Sequence, residues 1–235
     1  MKYFTTLILA FLSSTYCFSQ TDRGLFTKNI DAHIDLIPLG FPDPAIRFGS
    51  EWMLGNRWAV GLNLGVGVPV PGNGGLGFRE PEWKKGYQLF EIRPEVKYYW
   101  LKRERMGWYM AAEGFISSMK ATAGSGYHFS PGSDTLQINF EKADFQKTKI
   151  GMIGKIGGRF LLGQRFTLDF FTGLGLSNTN SSYKNHLNPV PKKSDPFFEG
   201  ENYTVGKRLT AHLSFGLRLG MILWQQKDVT SAYIK

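Results

Sequence analysis

Twice in this sequence a histidine stands two residues before a serine: His212-Leu213-Ser214 and His128-Phe129-Ser130. On an extended strand that spacing puts both side chains on one face, where an imidazole can take the hydroxyl proton and make the serine a nucleophile. A carboxylate such as Glu113 or Asp169 would complete a hydrolytic set. The second pair runs into Pro131-Gly132, which reads as a turn rather than an active-site strand. With His33 and His186 the histidines number four, and no two have the spacing of metal ligands. They are expected as isolated polar residues, with no metal and no cofactor. The run Gly72-Asn73-Gly74-Gly75-Leu76-Gly77 lacks the following Lys-Ser/Thr of a phosphate-binding loop and reads as a flexible connection.

A second constellation is ionic. In Glu91-Ile92-Arg93-Pro94-Glu95-Val96-Lys97 the charges alternate in sign along one strand face. The same face of other extended segments carries the acids Asp31, Asp35, Glu51, Glu113 and Asp169 and the bases Arg47, Lys149, Lys155, Arg159 and Arg218. Acids and bases on this face are equal in number, as a filled, water-poor interior requires, because buried charges must be paired. Gly61, Gly65, Gly67, Gly157, Gly173, Gly175 and Gly216 leave room there for long side chains.

The elements that would position these residues are strands. Period-two alternation recurs in eight segments: 29–38, 45–54, 58–68, 88–100, 108–119, 147–162, 166–177 and 209–224. Most are near the length a tilted membrane-crossing strand needs. Pro94 forfeits a ladder donor, so a bulge is expected beside it. Alternation slips at Ile222, so Trp224 joins the apolar face only if that strand end bulges or frays. Three tight turns are bracketed by large aromatics of the apolar face: Trp52 and Trp58, Trp100 and Trp108, Phe160 and Phe166; Trp224 ends the last segment. Such a girdle at one level is what a membrane–water interface selects. The remaining connections are a short Pro-rich link at 39–44 and long polar loops at 69–87, 121–146 and 178–208.

Alternation alone leaves the sense of the barrel open. A lipocalin-like soluble carrier has the same period with apolar residues inside. The girdle and the sign-balanced charged face favour the reverse arrangement, an all-β, eight-stranded antiparallel up-and-down transmembrane barrel. In that register His212 and Ser214 face the interior.

The N-terminus reads as a secretory signal over 1–19: Lys2, an apolar Phe4–Leu12, then small residues, with a mature start near Gln20. Residues 20–28 are expected as a periplasmic segment, 29–224 as the barrel and 225–235 as a periplasmic tail. The single cysteine, Cys17, falls within the signal, which excludes a disulfide framework in the mature chain. The net charge of +9 suits solubility and interfacial anchoring, with lipopolysaccharide phosphate or an acidic surface partner ahead of nucleic acid. Loop aromatics beside cations outline a binding surface: Trp83, Lys84, Lys85 and Tyr87, then Tyr183, Lys184, His186, Lys192, Lys193, Phe197 and Phe198. Asp134-Thr135-Leu136 is similar to a Bacteroidota O-glycosylation site.

On the alternation, the girdle and the loop pattern, the chain resembles the eight-stranded outer-membrane barrels of the OmpA-transmembrane and OmpX type. The Ser19-Gln20 junction and Arg93-Pro94-Glu95-Val96-Lys97-Tyr98-Tyr99-Trp100 resemble Bacteroidota outer-membrane barrels in particular. The resemblance implies Sec-dependent export, insertion by the barrel-assembly machinery, a monomer in outer-membrane lipid and a non-enzymatic role in envelope structure or surface binding. Such proteins often end on an aromatic; here Trp224 is followed by eleven more residues, Gln225–Lys235. Lipid A deacylases of the same membrane carry a His-x-Ser pair facing lipid, which makes a lipid-modifying enzyme the rival expectation.

Overall fold

The computed structural model describes residues 25–26, 28–40, 43–55, 57–68, 83–129, 136–193 and 205–226. Among the described residues eleven strands form: β1 (Asn29–Asp35), β2 (Ala45–Met53), β3 (Trp58–Gly67), β4 (Trp83–Arg103), β5 (Met106–Ala123), β6 (Gly126–Phe129), β7 (Leu136–Phe140), β8 (Lys142–Leu162), β9 (Phe166–Leu187), β10 (Val190–Lys193) and β11 (Gly206–Gln225). Eight of them close into one antiparallel ring in the order β1-β11-β9-β8-β5-β4-β3-β2. Closure is made by the first and last strands, from Asn29 opposite Gln225 to Asp35 opposite Arg218. The other three, ordered β10-β7-β6, make a small separate sheet.

The ring is apolar outside and polar inside. Phe48, Leu62, Leu64, Phe90, Ile116, Ile150, Met152, Leu174, Leu213 and Leu217 are exposed on the outer face, while Asp31, Glu51, Glu95, Lys97, Glu113, Arg159 and Arg218 are buried. The six bracketing aromatics and Trp224 face outward near the short turns. Trp52, Trp58, Trp100, Phe166 and Trp224 are exposed; Trp108 meets Phe170 edge-on at 5.5 Å and Phe160 stacks on it at 5.6 Å. Trp224 reaches this face because pairing with β1 shifts register between Ile30 and Asp31, which leaves Ile222 pointing inward.

The short turns share more than composition. The carbonyls of Arg57, Arg105 and Arg165 accept backbone hydrogen bonds from Tyr99, Leu161 and Ile222 at 2.8, 2.7 and 2.7 Å. Each turn is thereby stitched to the next strand round the ring. Gly163 adopts φ +66°, a left-handed conformation that costs a side-chain-bearing residue more. Just inside this rim Leu25 is buried with Leu161 and Ile222, its N–H bonded to the Glu104 carbonyl at 3.0 Å. Phe26 packs edge-on against Tyr99 at 5.1 Å. Part of the segment expected to lie outside the barrel thus packs into its turn end.

Three expectations need correction. No bulge forms at Pro94, which pairs in register with Leu62; opposite it on the other side Gly114 has no Cβ, and a built one would lie 3.9 Å from the proline ring. The nearby irregularity falls instead between Tyr99 and Leu101. Second, the walls are unequal. β4, β5, β8, β9 and β11 run 18 to 22 residues, against 7 to 10 in β1, β2 and β3. Residues 83–87, 121–123, 142–146, 178–187 and 206–208, expected in loops, belong to strands. Third, β6, β7 and β10 occupy part of what read as loop. The segment 1–19 with Cys17, the Gly72–Gly77 run, Ser130, Asp134, Thr135, Phe197, Phe198 and the chain beyond 226 lie outside the described residues, as do the side chains of Trp83, Lys84 and Lys85.

Candidate functional site: the filled interior and its loop-end mouth

Each ring strand sends alternate residues inward, so the interior is built in layers. Next to the Leu25 plug lies an aromatic layer of Met53, Ala59, Tyr99, Tyr109, Ala111 and Phe171. Two of its rings hold acids: Tyr99 Oη donates to Glu51 at 3.0 Å and Tyr109 Oη to Asp169 at 2.6 Å. Lys97 bridges the same two carboxylates, at 2.6 Å to Glu51 and 2.5 Å to Asp169. Arg159 crosses from β8 to bind both Asp31 and Glu51.

The ion pairs continue toward the loop end. Arg218 meets Glu95 at 2.7 Å, and Lys155 meets Glu95 at 2.9 Å and Glu113 at 2.5 Å. Arg93 lies 2.8 Å from Glu113 and 3.0 Å from Glu91, which Arg47 reaches at 2.7 Å; Arg47 is also 3.9 Å from Asp35. Aromatic faces complete the shell: Lys155 and Arg218 sit 4.1 and 4.5 Å from the Phe171 centroid, and Arg93 4.6 Å from that of Phe115. Every member of the expected ionic set except Lys149 is brought into one connected network. The alternation in sign along Glu91–Lys97 carries it: Arg93 and Lys97 each have a carboxylate on β4 itself and at least one on another strand.

Two partners of this system were not singled out in the sequence. Asp43 turns into the mouth from the link before β2 and binds Lys147 at 2.5 Å and Lys149 at 3.0 Å. Burial alone would raise its carboxyl, but the two ammonium groups reverse this and hold it well below the usual carboxylate range. A residue inside a Pro-flanked link gives no alternation signal, so only the fold reveals it.

The two His-x-Ser pairs fare differently. His212 and Ser214 do face inward, where the imidazole lies against Phe115 at 5.0 Å and the serine is buried. His128 has both ring nitrogens engaged: Nδ1 lies 3.0 Å from the Phe129 carbonyl and Nε2 2.8 Å from Nε2 of His186. A carbonyl can only accept, so Nδ1 carries a proton, and in the neutral pair His186 donates to His128. The expectation of isolated histidines is therefore wrong for His128 and His186, which lie 58 residues apart in sequence. Burial lowers the His128 pKa below its ordinary value, the Phe129 carbonyl opposes this, and His186 lowers it further.

This pair sits in an aromatic cage: His128 stacks on Tyr183 at 4.8 Å and Phe140 lies 5.4 Å from the same ring. Below it Ala45, Leu89, Met119, Ala123, Ala143 and Phe145 form an apolar cluster that closes the loop end. Tyr183 belongs to this core, so it is not part of an exposed binding surface as expected. Tyr87 is likewise turned in, donating to the Pro44 carbonyl at 3.1 Å. Lys184, Lys192 and Lys193 remain exposed.

No family model matches the chain, and no curated protein or solved structure does either.

Proposed function

We propose that the chain is a non-enzymatic integral outer-membrane β-barrel that serves envelope structure or surface interaction. Its short turns would face the periplasm, and its tall walls and small sheet the outside. One observation carries this reading: the ring exposes its large apolar side chains and buries its charges in pairs. A soluble carrier needs the opposite, since a continuous apolar belt in water is an aggregation surface. The outward aromatics beside the short turns supply the interfacial belt that lipid headgroups favour. A closed ring supports the reading too, because hydrocarbon tolerates no unpaired strand edge.

A transport pore fits poorly, because eight strands enclose a space that side chains fill. A lipid-modifying hydrolase fits poorly as well: His212 and Ser214 point away from the face lipid would touch. Surface binding would fall to the loop-end cations Lys184, Lys192 and Lys193, which suit phosphate-bearing or acidic partners.

The test is fractionation with a gel run before and after boiling. The chain is expected to require detergent for extraction and to change mobility on boiling. Recovery from the aqueous periplasmic fraction without detergent would overturn the proposal. Unchanged lipid A after Ser214→Ala and Ser130→Ala would remove the hydrolase.

A further inference from the structure

Between the ionic layers and the mouth, the interior carries polar atoms that the protein leaves without partners. Ser177, Thr179 and Ser181 of β9 are at most 2% exposed. Their hydroxyls make no hydrogen bond within the protein, and neither do Thr210 Oγ1 or the Nε and Nη2 of Arg208. These six atoms are on adjoining strands, whereas the other four buried side-chain atoms in this condition belong to Asn29, Asp35, Asn63 and Arg218. Native interiors leave few such groups, and a cluster of them calls for an explanation.

Register arranges them as a grid. Thr179 lies opposite Arg208 on β11 and opposite Lys149 on β8; Ser177 lies opposite Thr210, and Ser181 opposite Lys147. A column of hydroxyls is thus flanked by cations on both sides. Lys149 and Arg208 are separated by two strand spacings, about 9.5 Å at the backbone, which long side chains can bridge around a small solute. Hydroxyls can donate and a guanidinium can only donate, so the grid is complementary to a solute that only accepts.

Charge points the same way. The interior carboxylates Asp31, Asp35, Asp43, Glu51, Glu91, Glu95, Glu113 and Asp169 are matched by Arg47, Arg93, Lys97, Lys147, Lys149, Lys155, Arg159 and Arg218 in ion pairs. Arg208 adds an interior cation to this balanced set, and no carboxylate among the described residues reaches it.

We propose that Arg208 and the Thr179 hydroxyl opposite it, with the hydroxyls of Ser177, Ser181 and Thr210 around them, form a binding site for a small free oxyanion of the phosphate or sulfate class. The oxyanion would neutralise the surplus guanidinium through charge-assisted hydrogen bonds and give the buried Thr179 hydroxyl its acceptor. The site depends on the interior alone and stands whatever the outer face of the barrel meets.

Calorimetric titration of inorganic phosphate and of sulfate into the full-length, detergent-solubilised protein tests this, with chloride holding the ionic strength constant. One saturable site is expected. Arg208→Gln is expected to weaken it by about tenfold or more, the scale of a charge-assisted contact. Thr179→Val, which keeps the shape and removes the hydroxyl, is expected to weaken it several-fold. Lys207→Gln, one residue earlier and outward-facing, is expected to leave it unchanged. The mobility change on boiling reports that each barrel is closed; if Arg208→Gln lacks it, Thr179→Val decides. No saturable binding of either anion, equal weakening by Lys207→Gln, or unaltered binding in a closed Thr179→Val barrel would overturn the proposal.

Discussion

Arg159 shows what a single interior charge does here. It is fully buried and holds Asp31 of β1 and Glu51 of β2 from the far side of the ring. Arg159→Met would leave the buried Asp31 carboxylate without its guanidinium, while Glu51 keeps Lys97, a loss expected at about 3–5 kcal/mol for breaking a buried pair. The midpoint of urea unfolding in detergent should fall accordingly. Adding Asp31→Asn should restore much of it, because a buried ionic group replaced whole costs far less than one broken. The histidine pair at the mouth gives a pH prediction. The folded state holds the His128 pKa below its unfolded value, so the unfolded form binds more protons in the interval between them. The contribution to stability is therefore fully present above about pH 6.5 and declines as pH falls through the folded value. The protection of β6 and β7 amides, taken relative to their intrinsic exchange rate at each pH, should fall at pH 5 relative to pH 7.5. His128→Phe, which keeps the ring in its cage, should remove that difference.

At the scale of strands, packing between neighbours inside the barrel is close where a glycine faces a ring. A Cβ built on Gly216 would lie 2.1 Å from Phe171 Cζ, and Phe171 is the platform for Lys155 and Arg218. Gly216→Val should lower the unfolding midpoint by at least the overpacking cost of about 1–3 kcal/mol, or prevent the closed form altogether on the boiling gel. The sequence made the lower half of each strand readable. Alternation in Trp58–Val66 or Phe166–Leu174 contrasts apolar with small or charged residues, so the strand starts at Asn29, Ala45, Trp58 and Phe166 emerge from pattern alone. The upper halves were illegible for a physical reason. In Asn178-Thr179-Asn180-Ser181-Ser182 the outward residues are as polar as the inward ones, so period two persists in the backbone but leaves no trace in hydropathy. The small sheet escaped because its strands are only 4 or 5 residues long, and the His128–His186 contact because nothing local links residues so far apart. The ionic network was legible in membership but not in partnership: which acid meets which base depends on how the ring closes.

For the whole molecule, the two faces make opposite demands on substitution. An arginine at the exposed Met152 should destabilise the barrel in lipid by about 2–4 kcal/mol if that position lies near the bilayer midplane, while one at Leu187, near the loop end, should cost little. Unfolding in vesicles compared with detergent would measure the contrast, and equal effects at the two sites would argue against a bilayer round the lower ring. Single-tryptophan variants retaining Trp52, Trp58 or Trp224 should be quenched alike by brominated acyl chains, since all three sit beside the turns. Closure has a last consequence for how the molecule is made. Its seam joins Asn29 to Gln225, so the earliest wall waits for the latest, and the salt bridges that bind β8 to β1 wait with it. Until that zipper shuts, the ribbon carries unmatched charges along one side, which disfavours premature entry into a greasy phase. If the outer face meets lipid as proposed, sealing the cylinder and becoming fit for lipid are, for this ribbon, a single event.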